Sequence, residues 1–360
     1  MIFYLVLPRM TKQDEYFMQR ALQLAAYGKS TVSPNPMVGC VIVLEDKIIG
    51  EGWHQKAGEP HAEVLAIRSV KNAELLKLAT AYVTLEPCAH YGKTPPCANL
   101  LVEKQLKKVV IGAVDPNPLV AGKGIEILKK AGIEVQSAVL EEHCMALNRA
   151  FFTSMQERRP YIILKWAQTS DGYIARQDFD SKWISNPLSR QIVHKWRTEI
   201  DAILIGKNTA KYDNPKLTAR DWSGKNPTRL VIDHQLALSN DLGIFDDKEK
   251  TLVFHSLDKE KENKTIEFVR LNKKSFLVDM MEYLHKRKIQ SVMVEGGSQT
   301  LQAFIDAGLW DEARIFISPV SFEKGINAAQ LKSHTLVSQE NISDKKQTDT
   351  LSIYYKNKLL

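Results

Sequence analysis

Hydrophobic positions along this chain switch repeatedly between helical and strand spacing. Residues 11–27 carry apolar side chains three and four positions apart, which predicts a helix with one buried face. Short apolar runs follow, separated by polar turns and amphipathic stretches, and predict strands that alternate with helices. The elements predicted in the first half are strands at 38–44, 47–53, 81–85, 109–113 and 135–139, and helices at 11–27, 61–70, 124–131 and 141–157, with another helical segment opening at Pro87-Cys88. This alternation predicts an α/β fold with a layered sheet.

The same alternation resumes after Arg158-Arg159-Pro160. Because proline disfavours helix in the residue before it, we expect a domain boundary here, between residues 1–157 and 158–360. The elements predicted in the second half are strands at 161–166, 202–206, 228–233, 251–255 and 291–295, and helices at 187–198 and 275–286. The tail after Ser321 is polar, and residues 351–355 within it predict an edge strand.

Composition and charge narrow the class of protein. A length of 360 residues favours two domains, and 44% hydrophobic with 25% charged residues is ordinary for a soluble globular protein. The net charge of +7 is scattered, which favours anionic ligands but forms no stripe for nucleic acid. Residues 1–7 are apolar but too short to span a membrane, so we expect no membrane partner, and Met10 is an alternative start.

A His, a Glu and two Cys carry the clearest chemical signal. His61, Cys88 and Cys97 can give a zinc ion three protein ligands, and a fourth position left to water is typical of a catalytic site. Zinc lowers the pKa of bound water, so hydroxide becomes available at neutral pH. Glu63, two residues after the ligand His, would carry protons from the attacking water to a leaving amine.

The spacing of this motif differs in one respect from that of zinc-dependent nucleobase deaminases. The two Cys are nine positions apart instead of three, so residues 89–96 must loop out and bring His90 and Lys93 beside the metal, as a phosphorylated substrate would require. The alternatives are a closed zinc site or unrelated thiols, but a closed site needs a fourth ligand and the other cysteines lie far away in sequence. Thiolate ligands suit a reducing compartment, so we expect a cytoplasmic protein.

These motifs resemble those of the bifunctional riboflavin-biosynthesis deaminase-reductase family. The matching runs are SPNPMVG at 33–39, HAE at 61–63, TLEPCAHYGKTPPC at 84–97 and DPNP at 115–118, and the similarity continues to about residue 320. The resemblance implies a cytidine-deaminase-like three-layer α/β/α domain and then a dihydrofolate-reductase-like α/β domain. It implies zinc-dependent deamination of a diaminohydroxy-pyrimidine ribosylamine phosphate, followed by NADPH-dependent reduction of its ribose. We also expect a homo-oligomer, either a dimer or a tetramer.

Several polar residues of the first domain are expected to contact the substrate. Asn35 lies between two prolines that stiffen the backbone, so its amide can read the edge of a pyrimidine, unless the segment is a simple Pro-rich turn. His54 follows a strand; a lone His is usually structural, and the resemblance makes it a substrate contact. Asp115 and Asn117 follow a strand end, where ligands gather in α/β sheets, and similar residues in the family hold ribose and phosphate.

The second domain has a possible phosphate cradle after the strand at 291–295. Gly296 and Gly297 precede a predicted helix, whose first backbone N–H groups can bind phosphate, although a Gly-Gly pair can also be a plain turn. No GxGxxG follows a strand, so a Rossmann site is not indicated. By resemblance, the residues that contact NADPH are Ala167, Trp183, Thr209, Asp213, Gly297, Ser298, Gln299, Thr300, Leu301, Gln302 and Ala303. Those that contact the reductase substrate are Lys165, Ser181, Arg197, Leu217, Arg220 and Glu295.

The sequence leaves several of these roles open. Arg197 and Arg220 suit a phosphate, because a guanidinium can bind it bidentately, but without the resemblance they would be surface ion-pair partners. Trp183 can equally be a core residue. His234 stands where the family usually has a small residue. The nicotinamide carries the hydride, so no catalytic acid is assigned.

Two other functions compete with this interpretation. The first is a nucleic-acid base deaminase, acting on tRNA or single-stranded DNA, with an appended binding domain; it would need the short Cys spacing and an aromatic-basic groove, and neither is found. The second is a non-catalytic binding protein on a degenerate deaminase fold, which the intact set of His61, Glu63, Cys88 and Cys97 disfavours.

Overall fold

The computed structural model describes residues 11–89, 95–117, 120–258 and 265–356. The chain forms two compact units, which divide between Glu157 and Arg158. The elements of the first unit are strands β1 (Gly39–Leu44), β2 (Lys47–Trp53), β3 (Thr80–Leu85), β4 (Lys108–Ala113) and β5 (Glu134–Gln136), and helices α1 (Lys12–Ala26), α2 (Ala62–Ser69), α3 (Cys97–Glu103), α4 (Lys123–Lys130), α5 (Glu141–Leu147) and α6 (Arg149–Glu157).

The sheet of the first unit is mixed and is covered on both faces. Its strand order is β2-β1-β3-β4-β5, with β1 antiparallel to both neighbours and β3, β4 and β5 parallel. Alternate side chains of β1 point to opposite faces, as the pleat requires. Ile42 joins a core with Ala66 of α2, and Val41 joins a second core with Met18 of α1. The three-layer α/β/α architecture expected from the sequence is therefore confirmed.

Helix α2 lies unusually close to β2, and a glycine permits this. A Cβ atom on Gly52 would lie 2.4 Å from the backbone nitrogen of Ala66 and 2.6 Å from the carbonyl oxygen of Ala62. Any larger residue would push the helix away from the sheet. Because His61 is the N-cap of α2 and Glu63 lies in its first turn, this packing fixes the position of both residues.

Three predicted elements of the first unit differ from the structure. The single helix predicted at 141–157 is two helices, because the Asn148 side chain leaves the helical pattern and hydrogen-bonds the backbone of Met37. The helical segment predicted to open at Pro87-Cys88 is wrong, since α3 begins only at Cys97. The strand predicted at 135–139 covers Glu134–Gln136.

The second unit is built on a long, mostly parallel sheet. Its elements are strands β6 (Tyr161–Gln168), β7 (Tyr173–Ala175), β8 (Ala202–Gly206), β9 (Thr228–Ile232), β10 (Thr251–His255), β11 (Ile266–Arg270), β12 (Ser291–Val294), β13 (Glu312–Ile317), β14 (Ile326–Asn327), β15 (Thr335–Ser343) and β16 (Thr348–Tyr355), and helices α7 (Pro187–Glu199), α8 (Lys207–Asp213), α9 (Phe276–Lys286) and α10 (Ser298–Asp306). The main sheet has the order β11-β10-β9-β8-β12-β6-β13-β16-β15, in which β16 is antiparallel to both of its neighbours.

The tail of the chain differs from its prediction. The strand predicted at 351–355 is real but does not lie at the edge, because β16 pairs with β13 on one side and with β15 on the other. The edge strand on this side of the sheet is β15, whose residues are almost all exposed and mostly polar, so its sequence lacks the apolar alternation that predicts strands. The sequence analysis also missed β11 and β13.

The parallel part of this sheet determines where a ligand can bind. Strands β6, β12, β8 and β9 are neighbours and run in the same direction, so their carboxyl ends meet at one edge. Ligands of open α/β sheets bind outside this edge. The first residues after these carboxyl ends are Thr169 after β6, Glu295 after β12, Lys207 after β8 and Asp233 after β9.

Candidate active sites

His61, Cys88 and Cys97 come together at one point of the first unit. The Nδ1 atom of His61 lies 3.6 Å from the Sγ of Cys88 and 3.3 Å from the Sγ of Cys97. All three ligand atoms lie within 4.8 Å of one another. Tetrahedral zinc, with bonds of about 2.0–2.3 Å, needs its ligand atoms about 3.5–3.8 Å apart. The donor set and its spacing therefore fit zinc, as the sequence predicted.

The two thiols differ in how readily they lose a proton. Contacts with Cys97 and His61 lower the pKa of Cys88 to about 4, against the opposing effect of its burial. The same contact with Cys88, together with burial, raises the pKa of Cys97. The thiolate is the form of cysteine that binds a metal ion. A metal ion bound between the two sulfurs would stabilise the thiolate form of both Cys88 and Cys97.

Glu63 lies beside the metal ligands without being one of them. Its side chain is almost completely buried, with 3% of the residue exposed. Burial, followed by the nearby Cys88 charge, raises the pKa of Glu63 to about 7, although His61 opposes this. A carboxyl group that gains and loses a proton near neutral pH is suited to general acid–base catalysis.

Asn35 and His54 form a hydrogen-bonded pair next to this centre. The Nδ1 of His54 lies 3.2 Å from the carbonyl oxygen of Pro60, which can only accept, so Nδ1 carries the proton. The Nε2 atom then accepts a hydrogen bond from the amide of Asn35 at 3.0 Å. Burial also lowers the pKa of His54, which favours this neutral form. Since both nitrogens of His54 are used, its effect on a substrate is to orient the Asn35 amide.

Glu86 organises the loop that carries Asp115 and Asn117, and the sequence analysis missed it. Its buried carboxylate accepts hydrogen bonds from the backbone N–H groups of described residues Asp115, Gly122, Gly124 and Ile125, at 2.9–3.3 Å. The last two belong to the first turn of α4, where a negative charge also favours the helix dipole. The Asp115 side chain in turn accepts from the backbone of Asn117 at 2.8 Å.

The expected contributions of His90 and Lys93 fall outside the described residues. Both lie in sequence between Cys88 and Cys97. Their contacts with a phosphorylated substrate therefore stay predictions.

The second unit contains a cavity of about 1350 Å³ at the carboxyl ends of its parallel strands. A cavity of this size can hold a dinucleotide together with a small substrate. The expected site residues that line it are Lys165, Ala167, Ser181, Trp183, Arg197, Thr209, Asp213, Leu217, Arg220, Glu295, Gly297, Ser298, Gln299, Thr300, Leu301 and Ala303. Gln302 does not line it, because its amide bonds to Asp306 and to the backbone of Gln330.

The amino end of α10 forms one wall of this cavity. Gly297 is its N-cap and adopts φ +47, a left-handed conformation that suits glycine. The first hydrogen bond to Gly297 is donated by the backbone of Leu301 at 3.1 Å, so the N–H groups of residues 298–300 precede the helical ladder. Because glycine has no side chain, the N-cap residue offers no acceptor to the N–H groups of residues 298–300. These groups can bind a phosphate.

A buried ion cluster occupies the centre of the cavity wall. Arg197 donates Nε and one terminal nitrogen to Glu295 at 3.0 and 2.8 Å, and its other terminal nitrogen to the carbonyl of Thr218 at 3.0 Å. Lys165 lies 3.7 Å from the same carboxylate. Burial alone would raise the pKa of Glu295, but the charges of Arg197 and Lys165 lower it to about 2. Three of the five N–H donors of Arg197 are thus used by Glu295 and Thr218.

Other expected contacts are placed at the rim of the cavity. Trp183 is 64% exposed and carries the Arg190 guanidinium 4.5 Å above its ring, so it is not a core residue. The hydroxyl of Ser181 donates to Asp213 at 3.0 Å. Arg220 is half exposed, and its weak 3.9 Å pairing with Asp221 leaves its guanidinium accessible to an anionic ligand.

His194 is a buried residue of the cavity wall that sequence reasoning missed. Its Nδ1 lies 3.0 Å from the carbonyl of Thr218 and its Nε2 lies 3.0 Å from the carboxylate of Asp221. Both partners are acceptors, which favours the imidazolium, yet burial and the charges of Arg197 and Arg220 lower the pKa of His194. The net effect is a lowered pKa of His194, because Asp221 is 58% exposed and solvent screens the charge that would raise this pKa.

Together, the fold and the two sites define the class of zinc-dependent deaminases joined to a dihydrofolate-reductase-like reductase. Residues 11–113 match the family model "Cytidine and deoxycytidylate deaminase zinc-binding region", and residues 160–346 match the model "RibD C-terminal domain". The chain belongs to the RibD family of riboflavin biosynthesis proteins.

Relatives with similar sequences and structures support this assignment. The riboflavin biosynthesis protein RibD of Aquifex aeolicus is 41% identical over 92% of this chain and 94% of its own length. The riboflavin biosynthesis protein RibD of Escherichia coli is 40% identical over 85% of this chain and 88% of its own length. A deaminase/reductase structure from Thermotoga maritima superimposes with a TM-score of 0.87 at 38% identity, covering 95% of this chain and 98% of that one. In the described part of the chain, no helix has the length and apolar character of a membrane span.

We expect Glu86→Ala to destabilise the first unit by about 2–4 kcal/mol, because several N–H groups at and before the start of α4 would lose their acceptor. Glu86→Gln keeps one acceptor oxygen and should cost roughly half as much. Differential scanning calorimetry would measure both changes. Glu103→Ala, on the exposed end of α3, is the control, and an unchanged melting temperature for Glu86→Ala would contradict this role.

We expect the pKa of His194 to lie below the ordinary value of about 6.5. Between the two values the unfolded chain binds a proton that the folded chain does not, so the free energy of unfolding should fall as the pH is lowered through this window. Nitrogen-15 NMR of histidine-labelled protein would give the pKa, and unfolding measured at several pH values would give the stability.

His194→Gln keeps a donor for Thr218 but cannot take up a proton, so it should remove this part of the pH dependence. His334→Gln, exposed in the same unit, is the control. A His194 resonance that titrates at or above the pKa of an unfolded histidine would show that the Asp221 contact outweighs burial.

Proposed function

We propose that this chain carries out two consecutive steps of riboflavin biosynthesis. The first unit hydrolytically deaminates 2,5-diamino-6-ribosylamino-4(3H)-pyrimidinone 5′-phosphate, and the second reduces the ribosyl group of the product to ribityl with NADPH. The observation that carries the proposal is the convergence of His61, Cys88 and Cys97 beside the buried carboxyl of Glu63. The Thermotoga maritima relative is described as a diaminohydroxyphosphoribosylaminopyrimidine deaminase and 5-amino-6-(5-phosphoribosylamino)uracil reductase, which supports the choice of substrate.

In the deaminase site, each residue has a distinct task. A zinc ion held by His61, Cys88 and Cys97 would supply a Lewis acid and make hydroxide available near neutral pH. Glu63 takes one proton from the attacking water and delivers it to the ring nitrogen. It then takes the second proton, released as the new hydroxyl becomes a carbonyl, and delivers it to the departing amine. Asn35, oriented by His54, presents its carbonyl oxygen to the polar edge of the pyrimidine. Water replaces the amino group, and ammonia leaves.

In the reductase site, binding and orientation are the main tasks of the protein. NADPH supplies the hydride when it is bound. The N–H groups of residues 298–300 bind its pyrophosphate at the start of α10. Lys165 and Glu295, fixed by Arg197, face the substrate at the carboxyl ends of β6 and β12. Arg220 is the accessible cation for the substrate phosphate.

The remaining alternatives are weaker. A nucleic-acid deaminase is not favoured, because the family match includes the reductase half of the chain. The unpaired state of all four cysteines supports a reducing compartment, and we propose the cytoplasm.

We further propose that the chain forms a homodimer through β15. This strand is the edge of the main sheet, is nine residues long, and exposes Leu336 and Val337. A long edge strand with exposed apolar side chains is a template for pairing with another strand. Two copies related by a twofold axis would pair β15 with β15.

For the deaminase, we expect Glu63→Ala to keep about one zinc per chain and to lose ammonia release by a factor of about 10²–10⁴. NADPH oxidation, assayed on the deaminated substrate, should be unchanged. Zinc content by elemental analysis, ammonia release and cofactor absorbance would be followed separately. Glu59→Ala, an exposed neighbour, is the control. Near-normal ammonia release by Glu63→Ala would refute the assignment.

For the dimer, light scattering after size exclusion should give twice the mass of the chain, and a double variant with Leu336→Lys and Val337→Lys should give the single mass. The added charges would repel across a symmetric strand pair. Lys345→Ala, in the turn between β15 and β16, is the control. A wild-type monomer, or a dimer that survives the double substitution, would count against pairing through β15.

A further inference from the structure

A buried carboxylate near the end of the chain, Asp349, is surrounded by hydrogen-bond donors. It belongs to β16 and is completely buried. Its Oδ2 accepts from the backbone N–H of Asn186 at 2.8 Å and from the hydroxyl of Ser189 at 2.6 Å, and its Oδ1 accepts from the side-chain amide of Gln347 at 2.6 Å. In the described part of the chain no cation pairs with Asp349, so these donors must compensate for the lost contact with water.

Two of these donors belong to the start of α7. Asn186 is the N-cap of this helix, and its side-chain oxygen accepts from the N–H of Ser189 at 2.9 Å. Its side-chain nitrogen donates to the carbonyl of Ile342, in β15, at 2.7 Å. The last hairpin of the chain, formed by β15 and β16, therefore holds the first turn of α7 with groups from both of its strands.

Gln347 extends the same network to a residue of the cavity wall. Its amide nitrogen, which donates to Asp349, also lies 2.9 Å from the carbonyl oxygen of Ile184. Ile184 is buried and lines the cavity. Asp349 and Gln347 do not line the cavity themselves, so their effect on a ligand must pass through the residues that they hold.

The residues held in this way belong to a continuous segment of the wall. Residues 181–185 all line the cavity, and we call them the wall segment. The expected substrate contact Ser181 and the expected cofactor contact Trp183 belong to it. Arg190, in α7, donates to the carbonyl of Ser185 and lies 4.5 Å above the ring of Trp183. The hairpin therefore fixes the wall segment directly near its end and indirectly through α7.

We propose that Asp349 and Gln347 are positioning residues of the reductase site, which hold the wall segment in the conformation that receives cofactor and substrate. The inference rests on the proposed reductase function and adds to it a role for the last hairpin of the chain. A segment that is ordered before binding loses less conformational entropy when the ligand arrives. Without the network, the ligand itself would have to order the wall segment, so affinity falls, whereas the saturated complex keeps most of its turnover.

The test separates binding from turnover in the full chain. In Gln347→Leu, the side chain keeps its approximate size but loses the donor to Ile184 and Asp349. We expect the Kd of NADP⁺, measured by titration calorimetry, and the KM for the deaminated substrate to rise about tenfold, the effect of about one lost hydrogen bond. The kcat of the reductase should change by less than about threefold. Ammonia release by the first unit should be unchanged, which provides a control within the same molecule.

Asp349→Asn is the conservative variant, because it keeps the size of the side chain and one acceptor oxygen. It should weaken binding less than Asp349→Ala, which leaves the donors of Asn186 and Ser189 without their acceptor. Circular dichroism would show whether each variant is folded at the temperature of the assay.

Gln339→Leu is the matched control, because Gln339 lies on the same hairpin but its amide donates to Ser352 at 2.9 Å and not to the wall segment. Unchanged Kd and KM in Gln347→Leu would overturn the inference, as would a fall in kcat alone, while the reductase function would stand in either case. An unfolded second unit in Gln347→Leu would also overturn it, since the network would then serve stability alone. If the wild-type chain neither bound NADP⁺ nor reduced the substrate, the proposed reductase function itself would fail.

Discussion

A buried carboxylate keeps its charge only where donors or cations surround it, and the two sites use this constraint in different ways. Glu86 accepts backbone N–H groups and thereby shapes the loop after β4. Glu295 is held between Arg197 and Lys165, which lower its pKa to about 2 and make it a fixed negative charge. Glu63 lies beside the Cys88 charge with little compensation, and its pKa rises to about 7. One residue type thus serves as scaffold, as ion-pair anchor and, in the proposed mechanism, as proton carrier.

The sequence predicted the elements whose information is local and missed those that depend on distant partners. Apolar spacing located most strands and helices within a few residues, and the His-x-Glu and Cys positions located the metal site. Asn148 could not be recognised as a helix break, because its partner, the backbone of Met37, lies 111 residues away. Glu86 and His194 were missed for the same reason, since nothing in their neighbouring residues indicates that they would be buried. Strand β15 was missed because an exposed edge strand needs no apolar face.

The sequence left two roles open for Arg197, a substrate contact by resemblance and an ion-pair partner by residue type. In the structure, three of its five N–H donors bind Glu295 and Thr218, which confirms the ion pair and leaves two donors. Its side chain is only 11% exposed, so replacing it would leave the buried Glu295 charge with Lys165 as its remaining ion-pair partner in the described residues. Arg197 therefore fixes the position of Glu295 in the cavity wall, whereas the guanidinium of Arg220 is half exposed and accessible to a ligand.

The two sites differ in whether side chains or backbone groups carry the contacts. In the first unit, the proposed metal ligands and proton carrier are side chains, so the identity of each residue matters. In the second, the pyrophosphate would be bound by backbone N–H groups at α10, which any residue of the right conformation can supply. Such groups bind the pyrophosphate of NADH and NADPH alike, since it is common to both. Discrimination between the two cofactors must then come from side chains elsewhere in the cavity.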